Sequence, residues 1–284
     1  MSFNFKTSIT PKKTYIIKAD GRRVLFNENK ILSTCRRAGA DRKTAHQILK
    51  NVRSQVYQGI HTKDIYQLVL QAISDEKGRL GLHHRYQLKE AIMNMGPTGF
   101  PFENFVAKIL SYSGFEISSI RNKIKGKCTH HEIDLIGISD GKKYMIECKH
   151  SSVRGSFIGL KVALYTHARF LDTSPYFDGE AIVCNVKVSQ SAKQYSNCIG
   201  QRVLSWRYPP NKSLEKIIED NKLYPITILN LNTKELEIFS SNNILLAQDL
   251  LKIDENTLVK QTGLSYRRIQ HLSALAQQII SDLN

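Results

Sequence analysis

The apolar positions change period along the chain. Tyr15-Ile16-Ile17-Lys18 and Arg23-Val24-Leu25-Phe26 are short strand-like runs around Asp20-Gly21, a hairpin turn signal. Asn27 then stands as an N-cap before a helix from about Glu28, on which Ile31, Cys35 and Ala38 share a face. A second helix is predicted from about Arg42 to Tyr57. Thr62 is placed to cap a third, which carries Ile65, Leu68, Val69 and Ile73. A small hairpin followed by short helices makes one domain, closed by the helix-stopping run Asn94-Met95-Gly96-Pro97-Thr98-Gly99.

Beyond that break, Phe102, Phe105, Val106, Ile109 and Leu110 form a helical stripe that ends at Gly114. Strands are predicted at Phe115–Ile120, His131–Ile138 and Lys143–Lys149, the last two joined by Asp140-Gly141. Alternation puts Glu132 and Asp134 on one face of the second strand, and Met145, Glu147 and Lys149 on one face of the third. Ile133, Leu135, Ile146 and Cys148 turn the other way, into a core. A helix at Phe157–Leu171, a buried strand at Ala181–Val186 and a helix at Ser189–Gly200, leading to Trp206, complete an α/β/α succession. Residues 213–253 read as a helix, Leu214–Asp220, and two strand-like runs, Tyr224–Leu229 and Leu236–Phe239, with no chemistry to name. Thr257–Ile280 reads as two helices around Gly263, similar to a helix-hairpin-helix or helix-turn-helix piece; DNA contact and plain packing both suit it. The expected fold is α/β in three parts: a mainly helical module with a hairpin at 1–95, an α/β/α sheet at 98–210 and a helical extension at 211–284.

Composition narrows the class. At 284 residues, 41 % hydrophobic, the chain suits folded cores and excludes fibrous and disordered classes. The formal charge is +16, with 18 Lys+Arg against 7 Asp+Glu in residues 1–90 and 23 against 18 in the rest. That excess predicts a polyanionic partner, nucleic acid or an anionic membrane. No apolar run of signal or membrane-spanning type occurs, so a soluble, cytoplasmic protein without a membrane partner is expected. Five cysteines without a CxxC pair argue against a disulfide framework and a thiolate zinc site; Cys148 reads as a small buried hydrophobe.

The hairpin through Asp140-Gly141 brings Asp134 beside Glu147 in otherwise apolar strands, with Lys149 two residues on. Side-by-side carboxylates repel, and a divalent cation such as Mg²⁺ is a common remedy; a Lys–Glu network closing the sheet is the plain alternative. Arg121, Lys123, Lys125 and Lys127 read as a loop before the Asp134 strand, suited to phosphate. His130 and His131 are candidate phosphate contacts or sheet caps. Tyr165, His167, Arg169, Lys193, Gln194 and Tyr195 serve equally as DNA contacts or as amphipathic cover. There is neither HExxH nor GxxxxGK[ST], so neither a zinc hydrolase nor a motor-type ATPase is indicated.

Two resemblances sharpen this picture. Ile17-Lys18-Ala19-Asp20-Gly21-Arg22, Phe26-Asn27, Lys30-Ile31 and Gly59-Ile60-His61-Thr62-Lys63-Asp64-Ile65 resemble the ATP-cone domain over about residues 14–95. That family is the regulatory nucleotide module of ribonucleotide reductases and of their transcriptional repressor. The resemblance implies ATP or dATP as a regulatory ligand, with Lys18, Gly21, Arg22, Lys30 and Thr62 around it. Two positions depart from the family: Ala19 replaces the usual Arg, and Tyr66 stands where His is often found.

Phe102-Glu103, His131-Glu132-Ile133-Asp134-Leu135-Ile136 and Met145-Ile146-Glu147-Cys148-Lys149-His150 resemble the PD-(D/E)xK nuclease superfamily, in its Mrr-like type IV restriction endonuclease branch, over about residues 98–208. This implies a metal-dependent endodeoxyribonuclease of restriction or defence type. Asp134, Glu147 and the Cys148 carbonyl would hold Mg²⁺, with Mn²⁺ as an alternative; Lys149 would be catalytic and Glu103 would stand near the metal. Double-stranded DNA, with or without modified bases, is then the expected partner, and double-strand cleavage would favour a homodimer or higher homo-oligomer. The competing readings are a nucleotide-responsive DNA-binding regulator without cleavage and a ribonucleotide-reductase accessory protein.

Overall fold

The computed structural model describes residues 14–75, 80–96 and 100–281. The predicted helix stop at Pro97–Gly99 lies outside the described residues. Packing divides the chain into two units, Met1–His83 and His84–Asn284.

In the first unit, β1 (Tyr15–Ile17) and β2 (Arg23–Leu25) pair antiparallel, and α1 (Glu28–Arg37), α2 (Arg42–Arg53) and α3 (Thr62–Ser74) follow. Gly21, at φ +79°, makes the turn that an L side chain would strain. Asp41 caps α2 by accepting from Thr44 N at 2.8 Å. That helix stops at Arg53, short of the predicted Tyr57, whose 62 % exposed ring offers no face to bury. His61, not Thr62, occupies the N-cap position of α3. Ile16, Ile31, Cys35, Ile48, Val52, Ile65, Val69 and Ile73 are buried in this unit.

Helix α4 (Leu80–Tyr86) spans the division. Then come α5 (Leu88–Met93), α6 (Phe100–Tyr112), β3 (Glu116–Lys125), β4 (His130–Ser139), β5 (Lys142–Lys149), β6 (Phe157–Ile158), α7 (Leu160–Asp172), β7 (Gly179–Cys184), β8 (Lys187–Val188), α8 (Gln190–Ile199) and β9 (Arg202–Leu204). The extension holds α9 (Leu214–Asp220), a 3-10 turn at Ile226–Leu229, α10 (Thr233–Ser241), α11 (Ala247–Leu250), α12 (Glu255–Thr262) and α13 (Tyr266–Ser281). Five strands form a mixed sheet in the order β3-β4-β5-β7-β9, antiparallel across the first three and parallel from β5 to β9. The chain is α/β, as its sequence pattern predicts. Asp140 (φ +53°) and Gly141 (φ +70°) form the two-residue turn that sets the β4–β5 register, from Ser139↔Lys142 to Leu135↔Ile146.

Three expectations change. Arg121, Lys123 and Lys125 lie on edge strand β3, not in a loop; only Lys127 falls in the turn between β3 and β4. The strand-like run at 224–229 holds a 3-10 turn, Ile226–Leu229, after an isolated bridge from Pro225 to Leu246, and the run at 236–239 is helical. The first is continuously buried, which erases any period, and the second follows a capping box in which Asn232 and Glu235 bond each other's backbone. Ile133 packs with Ile136, Met145 and Phe177, away from Leu135, Ile146 and Cys148. The β4–β5 ladder has ended before it, and Arg121 on the neighbouring strand takes a positive φ of +51°.

One core runs through the second unit. Leu88, Ile92, Phe102 and Phe105 meet Leu135, Ile146 and Cys148 of the sheet, together with Tyr224, Phe239, Leu258, Ile269 and Leu272 of the extension. Polar groups join the same parts: His84 Nδ1 lies 2.8 Å from Ile228 O, Arg85 donates to Ile279 O at 2.9 Å, and Thr227 Oγ1 donates to Ala91 O at 2.6 Å. Packing thus puts residues 84–95 with the sheet and draws no line at 210–211. The opposite face of the sheet is covered by α7 and α8 through Ala163, Ile182, Cys184, Val186 and Ala192.

Candidate functional site

The buried stripe of α6 leaves Glu103 at the start of the helix, beside the sheet. Its buried Oε2 stands 3.0 Å from Arg121 Nε, an ion pair without hydrogen-bond alignment. Burial, then the charge of Asp134, pushes the Glu103 carboxyl up to about 7, against the pull of Arg121.

Asp134 is the first β4 residue past the β4–β5 ladder, and its Oδ2 accepts from Cys148 N at 2.7 Å. The carboxylate takes the role that a backbone carbonyl plays further along the strand. Burial, and then Glu147, raises Asp134 to about 6, while the Cys148 N–H, Lys149 and Arg169 oppose the shift. Glu147 is 3 % exposed, and both of its oxygens meet cations: Lys149 Nζ lies 2.5 Å from Oε1, and Arg169 donates to Oε2. Burial would lower the Lys149 amine, but its bond to Glu147 and the charges of Glu147 and Asp134 raise it above its ordinary value. Cys148 points into the core, where burial raises its thiol well above the usual range.

The four residues singled out in sequence, Glu103, Asp134, Glu147 and Lys149, are therefore brought together. Arg169 was among the open candidates for DNA contact, but it is buried, with its guanidinium 5.4 Å from the centre of the Tyr165 ring and paired to Glu147. Helix α7 is fixed there by a polar network. His167 Nδ1 lies 2.6 Å from Glu180 Oε1, Gln201 Nε2 donates to Glu180 Oε2 at 2.9 Å and to Ala163 O at 3.2 Å, and Ser196 donates to Gln201 at 2.6 Å. His131 caps rather than projects. Its Nε2 lies 2.7 Å from Asp172 Oδ2, and Asp172 also accepts from Cys128 N and Thr129 N, which holds its carboxyl well below the usual range. A buried arginine one helix away carries no local sequence signal; its place in α7, among the sheet-facing Ala163, Thr166 and Thr173, was the clue available.

Among the described residues, no three His, Cys, Asp or Glu side chains converge as a metal centre. The donor set that could take a hard cation is all oxygen: Asp134, Glu147 and the Cys148 carbonyl, with Glu103 nearby. The Glu103 and Asp134 carboxyls are raised by burial first and by a neighbouring carboxylate second, Asp134 acting on Glu103 and Glu147 on Asp134. Each Glu147 oxygen already meets one cation, which leaves one lone pair on each for a metal.

In the first unit, the segment before α3 pairs with β1. Gly59 N donates to Tyr15 O at 2.8 Å, Ile17 N donates to Ile60 O at 3.0 Å, and a parallel bridge joins Ile17 to His61. Lys18 and Thr62 therefore flank one point, where β1 ends and α3 begins. Lys30 is exposed on α1, while Arg22 is held by Asp20 through Nε at 2.8 Å and Nη2 at 2.6 Å.

Residues 14–88 match the ATP cone domain family, and residues 224–280 match the family described as AF1548-like, C-terminal. An uncharacterized protein of Archaeoglobus fulgidus is 35 % identical over 176 residues, 62 % of this chain and 99 % of that protein. The crystal structure of the protein of unknown function AF1548 superimposes with a TM-score of 0.59 at 34 % identity, covering 64 % of this chain and 97 % of that one. Can2 from Sulfobacillus thermosulfidooxidans, in complex with cyclic tetra-adenylate, gives a TM-score of only 0.30 at 12 % identity, over 69 % of this chain and 54 % of that one. The chain belongs to the AF1548-like family and carries an ATP-cone domain at its N-terminal end.

Proposed function

We propose that this protein is a divalent-cation-dependent DNA endonuclease whose ATP-cone domain binds ATP or dATP as a regulatory ligand. The observation that carries the reading is the convergence of Asp134, Glu147 and Lys149 at the end of the β4–β5 ladder, with Glu103 close enough that, after burial, the charge of Asp134 raises its carboxyl. The cation, Mg²⁺ or Mn²⁺, would supply Lewis-acid polarisation of a phosphodiester and a nucleophile at neutral pH. Asp134, Glu147 and the Cys148 carbonyl would hold it, and the backbone N–H of Cys148 fixes the Asp134 carboxylate. Lys149, beside Glu147, would offer its positive charge to the scissile phosphate. Lys18, Gly21, Arg22, Lys30 and Thr62 are the proposed nucleotide contacts.

Plasmid and methylated duplex DNA incubated with Mg²⁺ or Mn²⁺, with and without ATP or dATP, tests the reading beside Glu147→Ala. Metal-dependent strand breakage by the native protein and none by the variant supports it; equal nicking by both removes the site assignment. One observation favours a second reading, a nucleotide-responsive DNA-binding regulator: both Glu147 oxygens are already engaged by cations. Metal-independent DNA binding with no cleavage over the whole panel would select it.

A further inference from the structure

The three parallel strands β5, β7 and β9 end on one edge of the sheet, and four cations gather there around Trp206. Lys89 of α5 holds its Nζ 5.7 Å from the centre of the Trp206 ring. Arg207 follows Trp206 in the chain. Trp206 N donates to Val186 O at 3.2 Å, which sets Lys187 beside it. Arg154, in the segment after β5, pairs with Glu90, the neighbour of Lys89. Glu90 takes Arg154, and Glu215 is gripped by Arg207 through Nε at 2.9 Å and Nη2 at 3.2 Å.

The scaffold beneath them is built. Lys187 pairs with Phe157 across the small β6–β8 ladder, and Asn185, 1 % exposed, exchanges hydrogen bonds with Ser151 N and O, both at 2.9 Å. These bonds tie the segment after β5, which follows Lys149 directly, to the end of β7. Burial, then Lys187 and Arg207, holds the Lys89 amine below its ordinary value; Glu215 works in the opposite direction and Arg154 adds to the lowering. Like charges crowded around a half-buried amine are costly unless an anion joins them.

We infer that Lys89, Arg154, Lys187 and Arg207 form a second phosphate site at the carboxyl edge of the parallel strands, holding the backbone of a nucleic-acid strand whose neighbouring phosphodiester lies at Lys149. The carboxyl edge is where open α/β sheets receive ligands, and backbone contacts of this kind fix register without reading sequence. The inference rests on the endonuclease reading for the identity of the strand, but it is tested by binding alone.

Binding of a fluorescent duplex oligonucleotide is titrated in EDTA across a range of salt, for the full chain, Lys187→Ala, Lys187→Glu and Lys89→Gln, with Lys216→Ala as a charge-matched control on α9. Lys187 is exposed, so its variants keep the fold, and matching thermal melts check this. Lys187→Ala and Lys89→Gln are each expected to weaken binding about fivefold and to lower the log–log salt slope by about one, while the control changes neither. Lys187→Glu weakens binding further. Equal affinity and slope in all variants would overturn the site, as would a native protein that binds no duplex. Native binding that depends on Lys89 and Lys187 without any cleavage in Mg²⁺ would sustain this site and remove the endonuclease reading.

Discussion

Arg169 and Glu147 form a buried ion pair across 22 positions of chain, from the far part of α7 to the last turn of sheet before Lys149. Both side chains are under a tenth exposed, and Lys149 takes the remaining Glu147 oxygen. Such a pair contributes more to position than to net stability, because the desolvation of two charges offsets most of their attraction. Its visible effect is to hold the Glu147 carboxylate in one orientation beside Asp134.

Removing the arginine alone leaves Glu147 buried with one cation. Arg169→Met is expected to lower stability by about 3 kcal/mol, and the double change Arg169→Met with Glu147→Leu to recover most of it. Urea titrations with matching m-values report the difference. A single variant within about 0.5 kcal/mol of native would mean that the pair carries no structural weight.

The two elevated carboxyls set a pH dependence. Glu103 titrates at about 7 against an ordinary 4.5, and Asp134 at about 6 against 3.8. Between those limits these two groups hold more protons in the folded chain than in the unfolded one, so their contribution to stability falls as pH rises from about 4 through about 7. Glu103→Gln should flatten this slope and leave the protein the more stable of the two at pH 7.5. Denaturant midpoints from pH 4.5 to 7.5 decide the matter; parallel curves for native and variant would count against the buried-carboxyl account.

On the proposed endonuclease reading, Lys149 separates chemistry from binding. Lys149→Ala should reduce cleavage by about 100- to 1000-fold, the range for loss of one preorganised charge at a reacting phosphate, with duplex affinity changed by less than about threefold. A comparable loss in affinity would move Lys149 from catalysis to strand binding.

Much of this site was legible because alternation holds through the ladder: Asp140-Gly141 sets the register to Leu135↔Ile146, which leaves Asp134 and Glu147 as the next pair, although alternation fails one residue further on, at Ile133. Long-range partners were not legible. Arg169 reads as an ordinary helical arginine, and Lys89, Lys187 and Arg207 meet only because a helix, a two-residue strand and a turn converge on Trp206. The extension was misread as partly β because Tyr224 to Leu229 is buried on all sides, where neither period survives.

The shared core makes residues 211–284 part of the sheet's own stability. Leu214, Ile218, Tyr224, Phe239, Leu258 and Leu272 are all essentially buried against the elements that carry Glu103 and Asp134. A chain ending at 210 is expected to be insoluble or to lack a cooperative transition. Leu272→Ala in the full chain should cost about 2–5 kcal/mol, as should a large-to-small change at Ile109 on α6, in the same core. Both variants should unfold in one transition by fluorescence and circular dichroism. A truncated chain that folds cooperatively would separate the extension from the sheet.

In the cone, position 19 is the informative one. Lys18 and Thr62 flank the point where β1 meets the start of α3, but Arg22 is engaged by Asp20 in its own turn and Ala19 offers no donor. The strongest bidentate phosphate donor of the family pattern is therefore missing here, and ATP should bind with reduced affinity. Ala19→Arg is expected to tighten ATP and dATP by about tenfold, or about 1.4 kcal/mol, and Lys18→Ala to weaken both. Calorimetry on the full chain checks this. An unchanged Kd in Ala19→Arg would mean that position 19 does not face the phosphates, and an absence of heat with both nucleotides in the native and the arginine-bearing protein would leave the cone a packing module.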